Sequence, residues 1–171
     1  PAPEEPEEKL MFENRSAWRI ENNRLRVTVL EGGGHLAEVV LKTESGDSLN
    51  PLWIPPWPSI DPWTYDRDKH GDMYGADSGA ALLSGIMGHN LCFDYWGAPS
   101  KTEFEAGMAD HGEVSWTPGE KISQDESSLV HKLDLKDSGT AITRTMRLAD
   151  GQSVLYVEET ASNKLGLDRA F

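Results

Sequence analysis

Only one cysteine, Cys92, occurs in the 171 residues, so no disulfide can form within the chain, and cysteine usage leaves the compartment open. Long apolar runs are missing too. None approaches the ~18–20 residues that a membrane-spanning helix requires. Basic residues are scarce, 16 Lys and Arg against 29 Asp and Glu, and the formal net charge is −13 at pH 7. Such a field repels phosphate backbones and anionic lipid surfaces, which makes nucleic acid and membrane poor partners, whereas a neutral ligand such as a sugar meets no penalty. The chain contains no G-x-S-x-G elbow, phosphate-binding loop or dinucleotide fingerprint. His89 and Cys92 stand in an H-x-x-C spacing, but the second pair of a zinc site and any H-x-H pair are lacking, so neither a metal nor another cofactor is expected. No long stretch has the period of an amphipathic helix.

What remains is β-like. Residues 1–16, opening PAPEEPEE, read as a flexible Pro/Glu-rich leader, either a tail without a role or a spacer left after signal cleavage, and residues 17–171 read as one domain. Export to the periplasm or beyond the cell is one setting compatible with that leader, and localisation is otherwise open. In the domain, Leu25, Val27 and Val29 alternate with Arg24, Arg26 and Thr28, the pattern of a half-buried strand. Gly32-Gly33-Gly34 turns the chain into a return strand, His35–Lys42, which Ser45-Gly46-Asp47 ends. Asn50 to Pro62 carries five prolines among Trp53, Ile54 and Trp57 and reads as a packed loop, and Trp63 to Ala80 continues as polar loop. Strands resume at Leu129–Lys136, Thr140–Leu148 and Ser153–Thr160, separated by the turn signals Asp137-Ser138-Gly139 and Asp150-Gly151. The sum is an all-β, antiparallel β-sandwich. Its last strand, followed by Gly166–Phe171, would be an open edge, to be covered by the remaining C-terminal half of a larger fold or by an oligomer partner.

Chemistry concentrates in Leu82–Ser100 and in the echo Ala109-Asp110-His111-Gly112-Glu113, whose glycine, aromatic, histidine and acid content suits a pocket wall. Among the five histidines, His131 falls on an apolar strand face and reads as a core residue, His35 as structural at a hairpin edge, and His70 as solvated. His89 and His111 each adjoin a glycine that permits close backbone approach to a ligand. Cys92, framed by Leu91 and Phe93, should be a buried thiol of raised pKa rather than a nucleophile. Of six tryptophans, Trp18 and Trp116 read as core. Trp57, Trp63 and Trp96 lie in loops near Asp61, Asp66 and Asp94, and aromatic faces beside acid and amide groups are what sugar recognition uses.

The strand pair Leu25–Leu30 and His35–Lys42, the segment Gly85-Ile86-Met87-Gly88-His89-Asn90 and His111-Gly112 resemble the N-terminal half of galactose mutarotase-like proteins, the aldose 1-epimerase superfamily. The strings NPLWIPPWPSIDP and SGIMGHNLCFDYWGAPS are similar to a bacterial branch of it. The resemblance spans about residues 17–160 and implies a β-supersandwich that binds a carbohydrate, with ring opening and mutarotation by general acid–base chemistry in the full-length parent. It makes His111 the catalytic or proton-handling histidine and places His89, Asn90, Asp94, Trp96, Trp57 and Trp63 around the substrate. His89 departs from the family's arginine, and the family's second histidine and glutamate base belong to the later half of the fold. Glu113 does not replace that base, because consecutive strand residues point to opposite faces. The alternatives are a non-catalytic sugar-binding sandwich of a secreted or periplasmic protein, and a structural sandwich whose aromatic loops make oligomer contacts.

Overall fold

Period-two patterning produces two antiparallel sheets in the computed structural model, which describes residues 9–46, 48–108 and 110–168. The first sheet runs β1 (Leu10–Phe12), β2 (Arg15–Glu21), β3 (Leu25–Leu30), β4 (Leu36–Lys42) and β5 (Ser48–Leu49), paired in chain order. The second runs β6 (Glu120–Gln124), β7 (Ser128–Leu135), β8 (Thr140–Leu148) and β9 (Leu155–Asn163), again in chain order. Both are meanders, as their turn signals dictate. Together they form an all-β sandwich.

The sheets meet through alternate residues. Trp18 and Ile20 of β2, Leu25, Val27 and Val29 of β3 and Leu36 of β4 pack against Leu129 of β7 and Met146 and Leu148 of β8. Further along the inner face of the second sheet, Leu133, Leu135 and Ile142 are covered by Val114, Leu91 and Phe93 rather than by a strand. The stretch between the sheets thus completes the core. The outer face of the first sheet is covered as well: Ala17, Leu30 and Ala37 pack under Met87, Ile54, Leu10 and Phe12. Thr28, on the polar face of β3, is buried too, and its hydroxyl accepts from Arg19 Nε at 3.2 Å. The same hydroxyl donates to Glu38 Oε1 (2.7 Å), which also receives Arg26 Nε (2.9 Å).

Several sequence expectations change here. The leader does not extend to residue 16, because Leu10 and Phe12 belong to β1 and Arg15, in β2, is buried with Nε donating to Asp61 Oδ1 at 2.8 Å. Residues 1–8 of that leader, Asp47 of the turn, Ala109 of the echo and residues 169–171 lie outside the described part. Trp63–Ala80 is not loop throughout. A 3₁₀ turn at Pro62–Thr64 is followed by α1 (Arg67–Tyr74), whose first turn is capped by the Asp66 side chain accepting from the Asp68 N–H, and then by α2 (Ala80–Gly85). Gly71 and a polar surface hide α1 from a periodicity reading. A third short helix, α3 (Lys101–Glu105), begins with a capping box between Ser100 and Glu103. The polar strand β6 gives no apolar alternation, since all five of its residues are exposed.

One glycine fixes how the central stretch sits on the first sheet. Gly88 has φ +57°, and a Cβ there would lie 1.9 Å from the Leu36 carbonyl oxygen. That closeness lets His89 and Leu36 exchange backbone hydrogen bonds of 3.0 and 2.9 Å, while the Gly88 N–H donates to Trp53 O. The segment after α2 is thereby tied to β4 and to the proline-rich loop at once.

Candidate functional site

From this anchor residues 89–97 run in irregular conformation and return at 110–112. Gly112 (φ +81°) presses so closely on the Phe93 carbonyl that a Cβ would lie 2.1 Å from its oxygen. The two passes are locked by a reciprocal pair: the His111 N–H donates to Gly97 O (3.0 Å) and the Gly97 N–H donates to His111 Nδ1 (3.3 Å). His111 adopts φ +58°, a left-handed conformation uncommon for a side-chain-bearing residue. Its ring meets that of Trp96 edge-on, with centroids 4.7 Å apart and planes at 87°. Trp96 is 81% exposed, so the indole has one edge on His111 and most of its surface in solvent.

The bond into Nδ1 carries chemical information. An imidazole nitrogen that accepts a backbone N–H is unprotonated, which places the proton of neutral His111 on Nε2. The side chain therefore offers an N–H donor beside an exposed aromatic surface. Asp110, immediately before it, is buried, and its Oδ1 has no hydrogen-bond partner among the described residues. Tyr95, next to Trp96, has a raised pKa, first through burial, against an opposing hydrogen bond with the Gly112 backbone and with Asp110, Glu103 and Asp94 adding to the rise.

Of the expected site residues, His111 and Trp96 are in contact, and Asp94 lies two residues before Trp96, exposed and with φ +83°. Asn90 turns its amide toward Cys92 Sγ (3.8 Å), and burial raises the Cys92 pKa, in the direction expected. His89 pairs with Leu36 through backbone and is exposed. Trp57 packs edge-on against Trp53 and donates from Nε1 to Leu83 O (3.3 Å). Trp63 lies over Gly32, beside Arg15 and Asp61. These two tryptophans therefore have structural neighbours of their own, apart from the Trp96–His111 contact.

Two residues set aside by the sequence reading play different parts in the fold. Trp116 is half-buried and lines a cleft of about 400 Å³ between Gly107 with residues 113–118 and the outer face of β6 and β7. Glu113 is not on a strand at all. It precedes the 3₁₀ turn Val114–Trp116, and its two carboxylate oxygens accept the Asp137 and Ser138 N–H groups at 2.9 and 2.7 Å. These two bonds tie its carboxylate to the β7–β8 turn.

His35 and His131 are fully buried, and none of their four ring nitrogens has a partner among the described residues. His35 stands where the β3–β4 hairpin closes, directly before β4, and is fully buried there. Burial lowers its pKa to about 3, helped by Arg15, Arg144 and His89, and lowers that of His131 to about 4, helped by Arg144. Both are neutral structural groups and neither faces the Trp96–His111 surface. Among the described residues, no group of three or more His, Cys, Asp or Glu side chains is placed to hold a metal ion.

Comparison with protein-family models, with curated proteins and with solved structures finds no match for this chain.

Proposed function

We propose that this protein is a carbohydrate-binding β-sandwich of the mutarotase-like kind that holds its sugar at Trp96 and His111. The observation that carries the reading is an exposed indole fixed edge-on against an imidazole whose Nδ1 is occupied by the Gly97 N–H. The apolar C–H face of a pyranose stacks on the Trp96 ring, and the Nε2–H of His111 donates to a hydroxyl or to the ring oxygen. Asp94 and Asn90, on the same pass of chain, supply further polar groups. The acidic surface favours a neutral ligand over an anionic one.

The same hydrogen bond separates binding from proton transfer. A histidine with Nδ1 occupied and Nε2 protonated is a donor and has no free lone pair with which to take a proton. Mutarotation would require His111 to give up the 3.3 Å contact from Gly97 and a second group to work from the other side of the sugar. The chain is therefore expected to bind sugar without accelerating the optical rotation change of fresh α-glucose or α-galactose beyond buffer. Acceleration that is lost in His111→Ala would replace this reading with the epimerase one. Binding itself is tested by tryptophan fluorescence titration with a panel of mono- and disaccharides. Saturation is expected, weakened at least tenfold in Trp96→Ala and in His111→Ala, and the absence of a saturable change with any member of the panel would sink the proposal.

A further inference from the structure

The Trp96–His111 surface is open, and an open surface holds one face of a sugar only. Two residues after His111 the chain enters the wall of the cleft described above, whose volume of about 400 Å³ lies in the range of small-ligand sites. Its floor is the outer face of β6 and β7, where the strand register sets Glu120 opposite Lys132. Its wall is Trp116, whose Nε1 is completely buried without a partner among the described residues. The polar edge of the indole is thus turned inward, and the ring surface that reaches the cleft is carbon, the surface that stacks on sugar C–H groups.

The charged groups divide into committed and available ones. Glu113 is tied down by two backbone N–H groups, and Lys132 is paired with Asp134. Glu120, Lys136 and Asp137 line the same cleft, and their side chains make no hydrogen bond or ion pair within the described residues. Two acceptors and one donor around a carbon-faced wall suit a polyhydroxylated neutral molecule. An apolar ligand would leave those groups desolvated and unpaired, and an anion would meet the carboxylates.

We propose that this cleft is a second saccharide subsite, which takes one pyranose ring of a neutral oligosaccharide on Trp116, with its hydroxyls bonded to Glu120, Lys136 and Asp137. The proposal rests on the carbohydrate reading and adds that the ligand is longer than one ring, with residues 110–113 leading from one subsite to the other.

The test uses isothermal titration calorimetry with glucose, galactose and their α-1,4- and β-1,4-linked disaccharides and trisaccharides. Four proteins are compared: the full chain, Trp96→Ala, the exposed double variant Glu120→Gln/Lys136→Gln, and Trp116→Phe, with folding of each checked by circular dichroism. A trisaccharide is expected to bind at least tenfold more tightly than its monosaccharide, and the double variant to lose at least fivefold for the trisaccharide while leaving the monosaccharide within twofold. A double variant with unchanged trisaccharide affinity, alongside a Trp96→Ala variant that has lost binding, overturns the cleft subsite and leaves the surface site standing. Loss in the double variant with Trp96→Ala unaffected supports the cleft and overturns the surface site. Failure of every saccharide to bind the full chain overturns both. If Trp116→Phe does not fold, the double variant alone decides, because its two positions lie on an exposed strand and turn.

Discussion

Gly88 and Trp96 stand at opposite ends of what one residue contributes to this molecule. At Gly88 any side chain combines a left-handed backbone angle with a contact far inside van der Waals range of the Leu36 carbonyl. Gly88→Ala must therefore separate the central stretch from β4 and break the paired hydrogen bonds between Leu36 and His89. A loss of ~3 kcal/mol or more is expected in urea unfolding, of the size seen when backbone strain and lost hydrogen bonds combine. A midpoint within error of the parent would show that the segment is not anchored there. Trp96 is mostly in solvent and contributes little packing, so Trp96→Ala should change stability by less than about 1 kcal/mol, a surface-like effect, while abolishing the proposed sugar contact. His111 lies between the two. His111→Asn keeps a residue type that tolerates the left-handed region, so it should fold normally and fail only in binding.

Elements differ in how far the chain's own chemistry discloses them. The alternation in β3, β4, β7 and β8 follows from burial on one or both faces, and Thr140–Leu148 is a strand with those same limits in sequence pattern and in structure. Where burial is lacking the pattern is lacking too: β6 is exposed throughout, and β1 is only three residues long with one residue turned outward. The helices α1, α2 and α3 are each eight residues or fewer, too short to show a 3.6-residue period; side-chain caps hold α1 and α3, and burial holds α2. At the candidate site, His111 and Trp96 were legible as residue types beside glycines. Their mutual contact was not, because it depends on two passes of irregular chain brought together by Phe93 and Gly112. Glu113 and Trp116 were misplaced for a related reason, since a 3₁₀ turn has no alternation to read. The register pair Met146 and Val157 turns this lesson into a measurement. Both lie on the inner face of the second sheet, but Met146 is fully buried whereas Val157, on the edge strand β9, is 43% exposed. Met146→Ala should cost about 2–5 kcal/mol and Val157→Ala less than about 1 kcal/mol. Equal losses would mean that β9 is covered in solution.

At the scale of the whole molecule, the two buried histidines make stability depend on pH. His35 and His131 lie in the sandwich interior, at Gly33 and Gly34 of the β3–β4 turn, with Arg15 of β2 and Arg144 of β8 as charged neighbours, and His89 near His35. Each arginine has its own anion, Asp61 for Arg15 and Glu159 for Arg144, and among the described residues no carboxylate bonds to either imidazole. Burial, with the arginines adding to it, keeps both rings neutral, at pKa values of about 3 and about 4. In the unfolded chain the same groups titrate near ~6.5. Between those limits the unfolded state binds more protons than the folded state, so stability rises with pH. The contribution is complete above the unfolded value and is lost progressively as pH falls toward the folded values. By pH 5 each histidine removes about 2 kcal/mol, or about 4 kcal/mol together. Asp66, Glu103 and Asp125 also have depressed pKa values, through hydrogen bonds to their carboxylates, but as carboxylates they lose their contribution only at more acid pH. The window from pH 7 to pH 5 is thus set by the imidazoles. Urea unfolding at pH 7.5 and at pH 5 should show this fall in the parent and about half of it in His131→Phe, which keeps a ring in the core but cannot take up a proton. A parent whose stability is unchanged across that interval would mean that both imidazoles take up a proton in the folded state, whereas half the fall would mean that one of them does.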